Sequence, residues 1–258
     1  MTSLLTNASA MTALQTLSLT NKNLATTQNR IATGEKVSQA SDNAAYWSIS
    51  TGMKTQNSAN AAVKDSLGFG AAVVDTAYTG LSEALKLGEQ ILAKQVAAEQ
   101  GGVDTVAIGA EIAELELQIG AIAASADFEG QNLLSTTGSG LGFTVVSGYS
   151  GGAVTTIDVA TYDLEGADFA DLTTTEATLD SMRAAAAEMG AAKMRVDSQL
   201  DFTSKLMDAI DRGVGVLVDA DMNAESARLS ALQTQQQLGI QALSIANQGS
   251  QSVLSLFR

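Results

Sequence analysis

The chain has 258 residues, 28 acidic against 14 basic, with no His, Cys or Pro. Without imidazole or thiol it holds no Ser-His-Asp triad, no cysteine nucleophile, no thiolate or imidazole metal site and no disulfide. Its formal charge of −14 argues against a nucleic-acid partner, which needs a basic surface, and six Phe, four Tyr and one Trp are too few for a thick globular core.

At the N-terminus no basic residue precedes Lys22, which makes the opening segment a poor secretory signal. If the chain leaves the cell, it does so by a route that keeps its N-terminus. No run approaches the ~18 uninterrupted apolar residues of a membrane span, so no membrane partner is expected. From Ala10, alternating steps of four and three select Ala10, Leu14, Leu17, Asn21, Leu24, Gln28 and Ile31, a helical seam with two polar interruptions. Thr33-Gly34 marks its break or cap. Trp47, the one Trp, reads as a packing anchor.

A second stripe runs through Leu67, Val74, Tyr78, Leu81, Leu85 and Leu92 and fades at the turn signal Gln100-Gly101-Gly102. Asp104 is placed to cap the next helix, whose stripe is Ile108, Ile112, Leu115, Ile119, Ile122 and Ala126, with Glu111, Glu114 and Glu116 off it. The short loop between these two helices predicts antiparallel neighbours. Thr144-Val145-Val146 and Val154 to Val159 then flank Ser147 to Gly152, a β-hairpin and the one region of strand.

The longest seam follows. Leu179, Met182, Ala186, Met189, Lys193, Val196, Leu200, Thr203, Met207, Ile210, Val214 and Leu217 alternate steps of three and four without a slip. It predicts a helix of about forty residues, some 60 Å at ~1.5 Å per residue. Paired acids on it, Asp197/Asp201 and Asp208/Asp211, read as a solvated face rather than acid-base machinery. Asp219-Ala220-Asp221-Met222-Asn223 opens like a calcium loop, but Ala224 stands where the tight turn needs Gly and Ser230 where the bidentate Glu belongs. A helix break or cap is the reading, and no metal or cofactor is expected. A last stripe takes Leu229, Leu232, Ile240, Leu243, Ala246, Val253, Leu254 and Phe257.

Charge is placed unevenly. Residues 1–34 hold Lys22 and Arg30 and no acid, residues 226–258 hold Arg228 and Arg258 and no acid, and all 28 acids fall in 35–225. Charge is depleted where surfaces are buried, so the two ends are expected to meet each other or copies of themselves. Their stripes of Leu and Ile, separated by Ala, Ser and Gln, bury too little in one pair to offset ordering costs of ~1–2 kcal/mol per residue. The ends are therefore expected to become helical only on polymerisation. The fold class is mainly α: an elongated antiparallel helical rod or coiled coil with a small β-hairpin region, its N- and C-terminal helices paired at one end.

The segment from Arg30 to Ala45 resembles the R-I-x-[ST]-G-x-x-[VI]-x-x-A-x-D-[DN]-A-A signature of bacterial flagellins through Arg30, Gly34, Asp42, Asn43 and Ala44. Phe128-Glu129-Gly130-Gln131-Asn132-Leu133-Leu134 is similar to the family's F-x-G-x-x-L-L. Asp219 to Glu225, Ala246-Asn247-Gln248 and Gln251 to Arg258 resemble its C-terminal segments. The resemblance covers roughly 1–134 and 174–258 and implies a short flagellin, a non-enzymatic filament subunit that self-assembles into a hollow tube for swimming.

It also implies three parts: an inner core from 1–40 with 222–258, a helical rod from 41–134 with 174–221, and an outward-facing hairpin region at 135–173. The assembly interface would take Leu14, Leu17, Leu24, Ile31, Leu243, Ala246, Val253, Leu254, Phe257 and Arg258. Implied partners are further copies, sibling flagellins, the type III export apparatus, an export chaperone and the filament cap, with an extracellular destination. The family's Q-R-x-R-E-L run, read by an animal innate receptor, is replaced by Glu89-Gln90-Ile91-Leu92-Ala93-Lys94, so receptor recognition is expected to be weak, although Glu111 matches a further acidic contact. A hook–filament junction protein, which shares the terminal motifs, is the alternative.

Overall fold

The computed structural model describes residues 7–100, 102, 104–135 and 142–255, and for 250–255 the backbone only. In chain order the described elements are α1 (Ala8–Thr33), α2 (Ala44–Ala98), α3 (Thr105–Ser125), β1 (Asp127–Phe128), β2 (Gln131–Asn132), β3 (Phe143–Ser150), β4 (Ala153–Val159), α4 (Leu172–Val218) and α5 (Met222–Ser255). The protein is mainly helical with a small β element. It divides into two compact units, 1–54 with 210–258 and 55–209.

The main apolar core lies in the second unit. The α4 seam is as its spacing predicts. Leu179, Met182, Met189 and Val196 are buried, Ala186, Lys193 and Leu200 half-buried. Asp197, Asp201 and Asp208 face water. Antiparallel packing of α4 on α2 is fixed by Leu179 against Gly88, Tyr78 against Gly190, and the Asp75–Lys193 ion pair. Its hydrogen bond to the Asp75 carboxylate holds the Lys193 ammonium above the ordinary lysine pKa.

The α2 stripe differs from the one read from large side chains. The buried ridge steps through Val63, Leu67, Gly70, Val74, Ala77, Leu81, Ala84, Gly88 and Ile91, while Tyr78 is 39% exposed and Leu85 and Leu92 are half-buried. Helices approach most closely where side chains are smallest, so part of the ridge is Gly and Ala. At Gly70 a Cβ would stand 2.5 Å from both Cγ atoms of Val145, which is stiff at χ1 and buried. A Gly70→Ala chain is therefore expected to lose about 1–3 kcal/mol. Gly68→Ala, with nothing within 4 Å, is expected to gain about 0.5–1 kcal/mol from helix propensity. Urea unfolding followed by circular dichroism checks both signs.

Helix α3 begins where expected, with Asp104 Oδ1 accepting from the amides of Val106 and Ala107 at 3.1 and 3.2 Å. Its stripe buries Ile119 and Ala126 and half-buries Ile108, Ile112, Leu115 and Ile122, with Glu111, Glu114 and Glu116 exposed. Lys94 of α2 pairs with Glu111.

The hairpin is β3–β4, antiparallel, closed by Gly151-Gly152 at φ 60° and 88°. Two positive-φ residues are what a two-residue turn with the strands' own twist requires, so the strands run further than the sequence suggested. A bulge between Val146 and Gly148 leaves Ser147 extra. Its carbonyl accepts from Gln199 Nε2 at 2.7 Å, and Val145, Ile157 and Val159 face the core.

A second strand pair, β1–β2, corrects the expectation of one strand region. It spans the Phe128 to Leu134 motif and turns at Glu129-Gly130, φ 52° and 80°. Two residues per strand are too short for alternation to show. Asn132 donates to the Ala123 carbonyl at 2.7 Å and accepts from the Leu134 amide at 2.8 Å, which sets Leu133 and Leu134 fully into the core.

Candidate assembly interface

In the first unit α1 and α5 pair antiparallel. The contacts run from Asn7 Nδ2 on the Ala246 carbonyl (3.0 Å), through Leu17 against Gly239 and Gln236 Nε2 on Asn21 Oδ1 (2.8 Å), to Arg30 on Glu225 (3.2 Å). Inward positions on α1 are Ala10, Ala13, Leu17, Thr20, Leu24, Thr27 and Ile31. On α5 they are Glu225, Leu229, Leu232, Gln236, Gly239, Leu243 and Ala246. Both sets keep the steps of three and four that define a coiled-coil seam.

The seam read from Leu and Ile is thus partly displaced. At three α1 positions the inward residue is Ala13, Thr20 or Thr27, not its neighbour Leu14, Asn21 or Gln28. Leu14 is 57% exposed. The reason is close approach: threonine can turn its hydroxyl back onto its own helix, as Thr20 Oγ1 does by donating to the Thr16 carbonyl at 2.9 Å. Leu17, Leu24, Ile31, Leu243 and Ala246 are half-buried between the helices. Val253 and Leu254 lie in α5 with only their backbone described, and Phe257 and Arg258 lie outside the described residues.

The Arg30–Ala44 motif builds the turn between α1 and α2. Gly34, at φ 73°, takes the left-handed cap that ends α1 and accepts from the Ala220 amide at 2.9 Å. Glu35 bridges Asp219, the Lys36 amide donates to the Val218 carbonyl at 2.6 Å, and Val37 and Val218 are buried. Asp42 Oδ2 accepts from the amides of Ser38 and Gln39 at 3.2 and 3.1 Å. Asn43 Oδ1 accepts from Ala45 and Tyr46 at 3.1 and 3.2 Å, and Ala44 opens α2. Trp47, expected as a packing anchor, is 38% exposed, between Tyr46 at 45% and Ile49 at 52%.

Asp221, in the segment that opens like a calcium loop, caps α5, accepting from the amides of Asn223 and Ala224 at 2.9 and 3.2 Å. Four residues on, Glu225 is 8% exposed. Its Oε1 accepts from Arg30 at 3.2 Å and Arg228 at 3.4 Å, while Glu225 Oε2 and Arg30 Nε are buried without a partner. Thus the Arg of one motif and the Glu of another, distant in sequence, form one ionic clasp. Sequence reasoning did not single out Glu225 as an interface residue. Its signal was position: the last acid before a terminal segment that has none.

The outer faces of this pair carry large apolar side chains among their Ser, Thr, Asn and Gln. Met11, Leu14 and Leu19 on α1 and Leu238, Ile240 and Ile245 on α5 are all more than half exposed. No described helix is long and apolar enough to cross a membrane.

The family model of the bacterial flagellin N-terminal helical region matches residues 4–139, and that of the C-terminal helical region matches 172–257. A flagellin of Brucella melitensis biotype 1 is 48% identical and flagellin C of Rhizobium meliloti strain 1021 is 40% identical, each comparison covering 100% of both chains. A solved Bacillus cereus flagellin is similar with a TM-score of 0.38 and 15% identity, over 64% of this chain and 94% of that one. The paired motif-bearing helices and the full-length similarity lead to one conclusion: the chain belongs to the bacterial flagellin family, whose members are structural subunits of the flagellar filament and not enzymes.

Proposed function

We propose that the filament grows by self-association through the outer faces of α1 and α5, and that these helices form its inner core. The observation that carries this reading is the mismatch on the pair itself. Among its described residues only Thr20, Thr27, Glu225 and Leu232 are buried, whereas six large apolar side chains stand more than half exposed. Ordering some sixty residues costs about 1–2 kcal/mol each. The seam returns little of that at ~25 cal/mol per Å² of apolar surface, so the pair opens readily in a lone subunit and is closed by neighbours. Contacts that repeat without closing into a ring give an open helical polymer.

On this reading residues 1–40 with 222–258 are the inner core, 41–134 with 174–221 the surrounding helical layer, and 135–173 the outward region. The subunit reaches its extracellular site through the flagellar export apparatus with a chaperone, and adds beneath the cap. Homopolymer or mixture with sibling flagellins, the surface is the same. Innate-receptor recognition is weak, since Gln90 and Leu92 stand where the family's run has its two arginines.

Amide exchange on monomer and on seeded filament tests the proposal. Residues 8–33 and 222–249 are expected to exchange rapidly in the monomer and to gain at least about a hundredfold protection, the equivalent of ~2.7 kcal/mol, on assembly. Strong protection of 8–33 in the monomer, unchanged by polymerisation, would refute it.

A further inference from the structure

With neither Cys nor His, the chain concentrates its sensitivity to two-electron oxidants in eight methionines. Their surroundings differ sharply. Met182 and Met189 are 0% and 2% exposed in the core, while Met11, Met194 and Met222 are 65%, 74% and 43% exposed. Only Met11 among these stands in the uncovered apolar stripe of α1, next to Leu14 and Leu19 and bordered by Gln15, Ser18 and Lys22.

We propose that Met11 is an oxidation site that gates assembly: a subunit carrying Met11 as its sulfoxide is excluded from the growing filament. The co-reactant is a peroxide. The thioether sulfur attacks the outer oxygen of hydrogen peroxide, the O–O bond breaks, and an S–O bond forms. The sulfur gives up two electrons, and the leaving hydroxide takes a proton and departs as water. The product is a strong hydrogen-bond acceptor beside Leu14 and Leu19, and covering it by an apolar neighbour strips it of the water that satisfies it. In a lone subunit the same group is solvated and harmless. Once the face is covered, peroxide no longer reaches the sulfur, so the modification acts on subunits awaiting addition and spares those already in place.

This inference rests on the assembly face proposed above. The test treats purified monomer with hydrogen peroxide, maps each methionine by peptide mass spectrometry, and measures elongation of native seeds. Met11 and Met194 should oxidise while Met182 and Met189 stay reduced, and elongation should fall about tenfold or more. Treatment should leave Met11→Leu elongating at its own untreated rate, treated Met194→Leu should fail as the native chain does, and methionine sulfoxide reductase should restore the native chain. In assembled filaments Met194 should still react and Met11 should not. A fall in Met11→Leu elongation on treatment as large as that of the native chain, or Met11 oxidising as fast in filament as in monomer, overturns the proposal while leaving the assembly face standing. Normal elongation by untreated Leu14→Asp overturns the assembly face, and the gate with it.

Discussion

A Leu14→Asp chain will fold its second unit as the native chain does and will fail to elongate filament seeds. Leu14 is 57% exposed and lies off the α1–α5 seam, so within one subunit the substitution moves a carboxylate only into water. On the proposed assembly face the same position is covered in the filament. The lattice then loses about 1.5–3 kcal/mol of apolar burial per site and must desolvate a charge without a partner. The critical concentration is expected to rise by at least about a hundredfold, because every ~1.4 kcal/mol is a factor of ten. Leu14→Met, which conserves volume and polarity, should elongate normally, and Leu14→Ala should fall between. Residual monomer after sedimentation measures all three. If Leu14→Asp filaments form at native concentrations, α1 does not meet its neighbours through this face.

The ionic clasp has the second large effect. Arg30→Met leaves Glu225 inside the pair with only Arg228, 59% exposed at its side chain, to reach it. Breaking a buried ion pair typically costs ~3–5 kcal/mol. Arg30 is itself 29% exposed, which places the cost lower, at about 2–3 kcal/mol. That corresponds to roughly a 30- to 150-fold rise in critical concentration. The double variant Arg30→Met/Glu225→Leu should recover most of the loss, since an apolar pair of similar volume often replaces a buried ion pair at no cost. The penalty belongs to the orphaned carboxylate, not to the missing arginine. Strictly additive losses in the double variant would show that the two residues act separately.

Glu225 also marks where sequence reading ended. Asp104 was legible as a cap and the α4 seam as a continuous stripe, because capping and helical periodicity are local: each depends on residues within a turn or two of chain. The β3–β4 hairpin was legible for the same reason, from β-branched runs around glycines. The β1–β2 pair was not, since its strands are too short to alternate, although Gly130 held the turn's positive φ. Gly70 and Gly88 were passed over by a stripe read from large side chains, yet a Cβ at either would collide with Val145 or Leu179. Leu14 read as a seam residue and is exposed.

By itself, then, the sequence determined that this chain would be helical, without acids at its ends, not an enzyme and built on flagellin motifs. Periodicity, capping, charge distribution and motif order are all written along the chain. Only the tertiary structure decided which residues face inward on α1 and α2, and that Arg30 meets Glu225. Those outcomes turn on how near two helices can come. That distance is set by the smallest side chains of both partners at once, a property of the pair that neither segment carries alone.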